Sequence, residues 1–136
     1  MASNDFYWDL AELNPDAVVF DEFQEAYLGY GYRNGMTPVA IYSYDFIINL
    51  LATSYLEDPE WAESRLEGID EEDEAAQVAT ALEDAMEYFN YNVSGVGKGD
   101  NNEHGPIFLK VDSNHFVFEM FSILFTLRKF IMVKYL

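Results

Sequence analysis

The stretch Glu25-Ala-Tyr-Leu-Gly-Tyr-Gly-Tyr-Arg33-Asn34-Gly35-Met-Thr-Pro38-Val-Ala-Ile-Tyr-Ser-Tyr44 decides the fold. Its first half puts Ala26, Leu28, Tyr30 and Tyr32 on one parity and Gly29 and Gly31 on the other, the period-2 pattern of a half-buried strand. Asn34-Gly35 supplies the positive φ angles that a tight hairpin turn requires. Pro38 to Tyr44, rich in β-branched and aromatic residues, reads as the second strand. Helical spacing follows, so the expected class is α+β: a small antiparallel sheet, made of this hairpin and a returning strand, packed against two to three helices.

Working upstream, Ala17-Val18-Val19-Phe20 reads as a further short strand between Pro15-Asp16 and Asp21-Glu22. Met1 to Leu13 has neither the basic start nor the apolar run of a signal peptide. Downstream, Asp45 is placed as an N-cap, and Phe46, Ile47, Leu50, Leu51 and Tyr55 repeat at helical spacing to about Leu56. Asp58-Pro59 begins a second helix, with Pro at its first position, and Gly68 ends it. A third and longer helix is expected from Asp70, with Glu71, Glu72, Asp73 and Glu74 at the positive end of its dipole. Its apolar stripe would be Ala75, Val78, Ala79, Leu82, Ala85, Met86 and Phe89, with Asn90 and Asn92 marking its end. Val93 to Gly105 lacks periodicity and reads as a loop, and Ile107 to Val111 as the returning strand.

The chain has 136 residues, half of them apolar, with a formal charge of −18 and no cysteine. That length suits one domain with a real core. The absence of cysteine excludes disulfides, thiolate catalysis and Cys-based metal sites. The charge repels nucleic-acid phosphate and anionic lipid and attracts basic protein surfaces. Residues 1–111 are therefore read as one acidic domain and 112–136 as a hydrophobic and basic tail. Glu119, Arg128, Lys129 and Lys134 interrupt that tail too often for a membrane span. It is read as a docked terminal helix or strand, or as a non-native extension rich in residues with AT-rich codons.

Pro38-Val-Ala-Ile-Tyr-Ser-Tyr-Asp45 with the helix after it, Glu83-Asp-Ala-Met-Glu-Tyr-Phe-Asn-Tyr-Asn92-Val-Ser-Gly95 and Gly105-Pro-Ile-Phe108 resemble a family of small acidic proteins encoded by tailed phages and prophages. Those proteins share a Val-Ala-Ile-Tyr strand, a capped helix, a Glu-Tyr-Phe-x-x-Asn helix end and a Pro-x-Phe strand. The resemblance runs from Asp16 to Phe108. The chain departs from it in the acidic insert from Glu57 to Ala81 and in the tail. It implies phage origin and the cytoplasm of an infected bacterium; the family carries no assigned activity.

Chemistry-bearing motifs are few. His104 and His115 sit in no nucleophilic or zinc pattern. Gly95-Val-Gly97-Lys98-Gly99 lacks the Gly-Lys-Ser/Thr ending of a phosphate loop and does not pass from strand to helix. Asp70 to Glu74 lacks calcium-loop spacing, and consecutive carboxylates on a helix fan apart; Asp100-Asn101-Asn102-Glu103 is better read as solvated loop. No catalytic residue, metal or cofactor is expected.

The surface charge is what remains. Glu71, Glu72, Asp73, Glu83, Asp84 and Glu87 are expected to project outward as a partner-binding face, extended by Glu57, Glu60, Glu63 and Glu67. Such density costs stability by self-repulsion, although charge also keeps small domains soluble. The expected function is a non-enzymatic phage accessory protein that binds and modulates a basic host protein, such as a nucleic-acid-binding enzyme, in its sharper form as a DNA mimic. Neither direct nucleic-acid binding nor a membrane role is expected. The alternative is a structural or oligomerising phage protein, a homo-oligomer joined through Tyr27, Tyr30 and Tyr42 or through the tail.

Overall fold

The computed structural model describes residues 5–32, 37–95 and 103–110. The expected turn at Asn34-Gly35, the run from Val96 to Asn102, and residues 111–136 with His115 lie outside the described residues. In chain order the elements are α1 (Trp8–Leu13), β1 (Tyr27–Gly31), β2 (Val39–Ser43), α2 (Tyr44–Leu56), α3 (Pro59–Arg65), α4 (Glu74–Tyr88) and β3 (Ile107–Leu109). Tight 3-10 turns occupy Asp5–Tyr7 and Asp21–Ala26, and a π turn, Phe89–Val93, continues α4.

The class is α+β, and the sheet runs β1-β2-β3 with β1 and β2 antiparallel. The returning strand differs from expectation in direction. Ile107, Phe108 and Leu109 pair with Ile41, Tyr42 and Ser43 in parallel, so the sheet is mixed and not purely antiparallel. A parallel neighbour needs a crossover of roughly a dozen residues or more, and α2 to α4 provide it. The expected strand at Ala17 to Phe20 is extended chain without a ladder; its Val18 N–H donates to the His104 carbonyl at 2.9 Å. It joins no sheet among the described residues, and the 3-10 turn Asp21–Ala26 follows it at once.

Along and beside β1, Leu28, Tyr30 and Tyr32 are exposed, while Tyr27 packs against the core and Ala26, just before the strand, is buried. A Cβ on Gly31 would stand 2.7 Å from Ile41 Cδ1, so the covered face of this edge strand has no room for a side chain there. Leu28 is the extra residue of a bulge between Tyr27 and Gly29, and Gly29 adopts φ +137°, which a side chain would strain. On β2 both faces are covered: Ala40 and Tyr42 on one, Val39 and Ser43 on the other.

Ser43, not Asp45, caps α2, its Oγ accepting from Phe46 N–H at 3.2 Å, so β2 passes into the helix with no loop. Asp58 caps α3 with Pro59 behind it, as expected. Asp73, not Asp70, caps α4, accepting from Ala76 N–H at 3.1 Å. Asp70 instead closes the preceding turn by accepting from Glu72 N–H. The buried side of α4 is Gln77, Val78, Ala81 and Ala85, followed by Phe89. The expected stripe is thus rotated: Val78, Ala85 and Phe89 hold, Leu82 is half-buried, and Ala75, Ala79 and Met86 face outward. The small Ala81 and Ala85 admit α2, the main packing partner of α4, at Ile48 and Ala52. Gln77 is drawn in because its amide donates to the carbonyls of Asp70 and Glu71.

Aromatic rings run through the core as a chain. Phe6, Tyr7, Tyr27, Tyr42, Phe20 and Phe108 meet with centroids 4.7–6.4 Å apart, and Phe89 joins Phe108 to Tyr44 at 4.8 and 4.9 Å. At its centre three groups close a cycle. Phe20 N–H donates to Tyr42 Oη at 2.7 Å, Tyr42 to Tyr7 Oη at 2.9 Å, and Tyr7 to the Phe20 carbonyl at 2.9 Å. Burial pushes the Tyr42 phenol far up, and Tyr7 up as well. A second clasp centres on buried Asn14. Its Nδ2 lies 2.9 Å from the Pro38 carbonyl and 3.2 Å from His104 Nδ1, and its Oδ1 accepts from Asp16 N–H at 3.2 Å.

Tyr27 is the exception in this cluster. Its hydroxyl is buried with no hydrogen-bond partner among the described residues, and burial, with Asp9 nearby, pushes it up to about 12. Tyr27→Phe removes the orphaned hydroxyl and keeps the ring, so we expect it to raise the unfolding free energy by about 1 kcal/mol. Urea denaturation checks this; a loss of stability would mean that the hydroxyl is partnered.

Candidate interaction surface

Thirteen of the 25 acidic residues lie between Glu57 and Glu87, with Arg65 the sole basic residue among them. The fold divides this region into two grooves on either side of α3. The first, of about 1000 Å³, is lined by Glu63, Glu67, Glu71, Glu72 and Glu74, with Pro59, Ala62, Leu66 and Ile69 as an apolar floor. It forms because Gly68, at φ +86°, reverses the chain after α3, and because the Asp70 turn and the Gln77 amide set the entry to α4. Among the described residues no basic side chain lines it.

The second groove, about 490 Å³, is lined by Tyr55, Trp61, Arg65, Asp84, Glu87, Tyr88, Tyr91 and Asn92. Its wall is a latch between α3 and α4. Trp61 Nε1 and Arg65 Nε both donate to Asp84 Oδ2 at 2.8 Å, and Arg65 Nη2 donates to Oδ1 at 2.8 Å. Arg65 beside it holds the Asp84 carboxyl below the usual carboxylate range, against the pull of burial and with help from the indole N–H. Trp61 is stacked on Tyr55 with centroids 5.5 Å apart. Burial raises the Tyr55 phenol, and the carboxylates of Asp84 and Glu87 raise it further.

The six expected site residues therefore fall into different places. Glu71 and Glu72 are exposed and line the first groove. Asp73 is exposed but engaged as the cap of α4, and Glu83 is exposed on neither groove. Glu87 lines the second groove. Asp84 corrects the expectation: its side chain is only 16% exposed and is committed to Arg65 and Trp61, so it is not an outward-facing partner residue. At a rise of about 1.5 Å per residue, Glu74 at the start of α4 and Glu87 near its end stand roughly 20 Å apart along the helix. Asp70 to Asp73 lie in the turn ahead of α4 and not on a helix as expected, and among the described residues no three His, Asp or Glu side chains are grouped as ligands for a metal ion would be.

Sequence reasoning missed Trp61, Tyr88 and Tyr91. The available signal was i, i+4 spacing: Trp61 to Arg65, Asp84 to Tyr88 and Glu87 to Tyr91 each share a helix face. His104 is drawn into the Asn14 clasp and stands apart from both grooves. Tyr27 and Tyr42, proposed from sequence for self-contacts, lie within the aromatic core; Tyr30 remains exposed. Among the described residues no helix is long and apolar enough to cross a membrane. Compared with known proteins, the chain matches no family model, no curated protein and no solved structure.

Proposed function

We propose that the protein is a non-enzymatic binding protein that docks the acidic α3–α4 face on a basic partner. The observation that carries this reading is the first groove. Five glutamates line it with no basic side chain among the described residues, while Arg65, the one basic residue between Glu57 and Glu87, is spent on the latch in the other groove. Like charges held this close repel one another, and a basic partner relieves that repulsion. In the phage setting that the resemblance implies, the partner is a nucleic-acid-binding enzyme in the cytoplasm of the infected bacterium. The carboxylates would then lie where phosphates lie, and modulation is by occupation of the DNA cleft.

The test is capture from bacterial lysate on the tagged full-length chain, comparing wild type with Glu63→Gln, Glu67→Gln, Glu71→Gln and Glu72→Gln combined. Four rim charges at roughly 0.5 kcal/mol each weaken binding by about thirtyfold. A single partner should be retained at low salt, released at high salt and by excess duplex DNA, and lost by the variant. Retention unchanged by salt and by the variant would sink the reading.

A second reading, self-assembly, is favoured by one feature: β1 is an edge strand among the described residues and leaves Leu28, Tyr30 and Tyr32 exposed. Light scattering separates the two, a monomer supporting the docking reading and a large symmetric assembly the structural one.

A further inference from the structure

The second groove combines groups that the first lacks. Tyr88 and Tyr91 are exposed rings, Tyr91 at 81%, and Tyr91 is held out from the body by the π turn that continues α4. Asn92 Nδ2 donates to the Tyr88 carbonyl and Ser94 Oγ to the Asn90 carbonyl, which fixes that turn. Large exposed rings are costly to leave in water unless something covers them. Glu87 lies in the same lining, exposed and in no ion pair among the described residues.

The groove already shows what it does with a guanidinium. Arg65 lies with Asp84 in a two-pronged contact, next to the edge of Trp61. One turn further along α4 the same kinds of group recur, carboxylate and aromatic ring, as Glu87 with Tyr88 and Tyr91. Arg65 lines the same groove and Glu87 adds to the field on it, but its fork is committed to Asp84, so no guanidinium is paired with Glu87 among the described residues. A planar, weakly hydrated guanidinium stacks on tyrosine faces and pairs a carboxylate through parallel N–H bonds, which a compact, strongly hydrated ammonium does poorly.

We infer that the groove formed by Tyr55, Tyr88, Tyr91 and Glu87 is a binding site for an arginine side chain of the basic partner. The inference rests on the proposed docking and sharpens it: the acidic α3–α4 face attracts any cation, and this groove selects arginine over lysine.

The test uses the full-length chain with oligoarginine and oligolysine peptides of equal length, titrated by calorimetry at one ionic strength. Oligoarginine should bind about tenfold more tightly, from two ring contacts at roughly threefold each. Tyr88→Ala combined with Tyr91→Ala should bring the two peptides to parity while the far-UV spectrum is unchanged, since both rings are exposed. Glu63→Gln, Glu67→Gln, Glu71→Gln and Glu72→Gln together should weaken both peptides alike and leave their ratio intact. Equal affinities in the wild type, or a preference that survives loss of both tyrosines, would overturn the arginine site and leave the docking reading standing. Failure of both peptides to bind would overturn both.

Discussion

Trp61→Ala is expected to lower the unfolding free energy by roughly 3–5 kcal/mol, the range for truncating a buried tryptophan. Trp61 is the one buried side chain of α3, which is only seven residues long and too short to persist alone. What keeps it in place is the indole, wedged against Tyr55 and bonded to Asp84. Truncation opens a cavity and also strips the Asp84 carboxylate of a donor where it is largely covered. Trp61→Phe separates the two contributions. It keeps an aromatic ring against Tyr55 and loses the N–H, so it should cost about 1–3 kcal/mol, as for a hydrogen bond to a charged group. Urea denaturation reads both, with the midpoint moving and the slope held. A Trp61→Ala protein within about 1 kcal/mol of wild type would mean that α3 does not depend on this anchor. Both grooves should collapse in the variant, because α3 is a wall of each.

The second large effect is alkaline. Between pH 10 and 12 the protein should lose roughly 3–5 kcal/mol of stability, enough to unfold a domain of ordinary marginal stability. Unfolded tyrosine gives up its proton near pH 10. In the native protein burial holds the phenols of Tyr42 and Tyr27 well above that, Tyr27 at about 12, and Tyr7, Tyr44 and Tyr55 are raised too. Above pH 10 the native state therefore binds more protons than the unfolded one, and stability falls with pH. Each fully shifted phenol removes about 1.4 kcal/mol per pH unit, and the half-buried ones less, because water screens them. Urea midpoints taken across this range, with phenolate absorbance recorded alongside, measure it. Tyr42→Phe should flatten the slope by about one proton. It should also cost stability at neutral pH, because Phe20 N–H and Tyr7 Oη lose their partner. Phenols that all ionise near pH 10 in a protein that stays folded would contradict the burial of this cluster.

What the sequence made legible was set by local physics. Pro38 to Tyr44 reads as a strand because β-branched and aromatic residues crowd it, and all of it but the first residue and Tyr44, which opens α2, is one; Asp58-Pro59 starts a helix by capping alone. Where a long-range contact decides, the reading slipped. The bulge at Leu28 resets which side chains of β1 share a face, and a register shift between strands is something that alternation cannot see. The direction of β3 depends on how α2 to α4 return the chain. The stripe of α4 rotates toward Ala81 and Ala85 because α2 needs close approach there. At the candidate site the acidic composition was plain, but the partition into two grooves was not. Asp84 lies 19 and 23 residues from the Arg65 and Trp61 it engages, so charge alone could not show that it faces inward.

The Asn14 clasp has a consequence for how the ends of the fold hold each other. One buried amide touches Thr37, Pro38 and His104 with its nitrogen while its oxygen accepts from Asp16 N–H. The segment before β2 and the segment before β3 are therefore fastened to the end of α1 by a single side chain, which joins residues 90 positions apart.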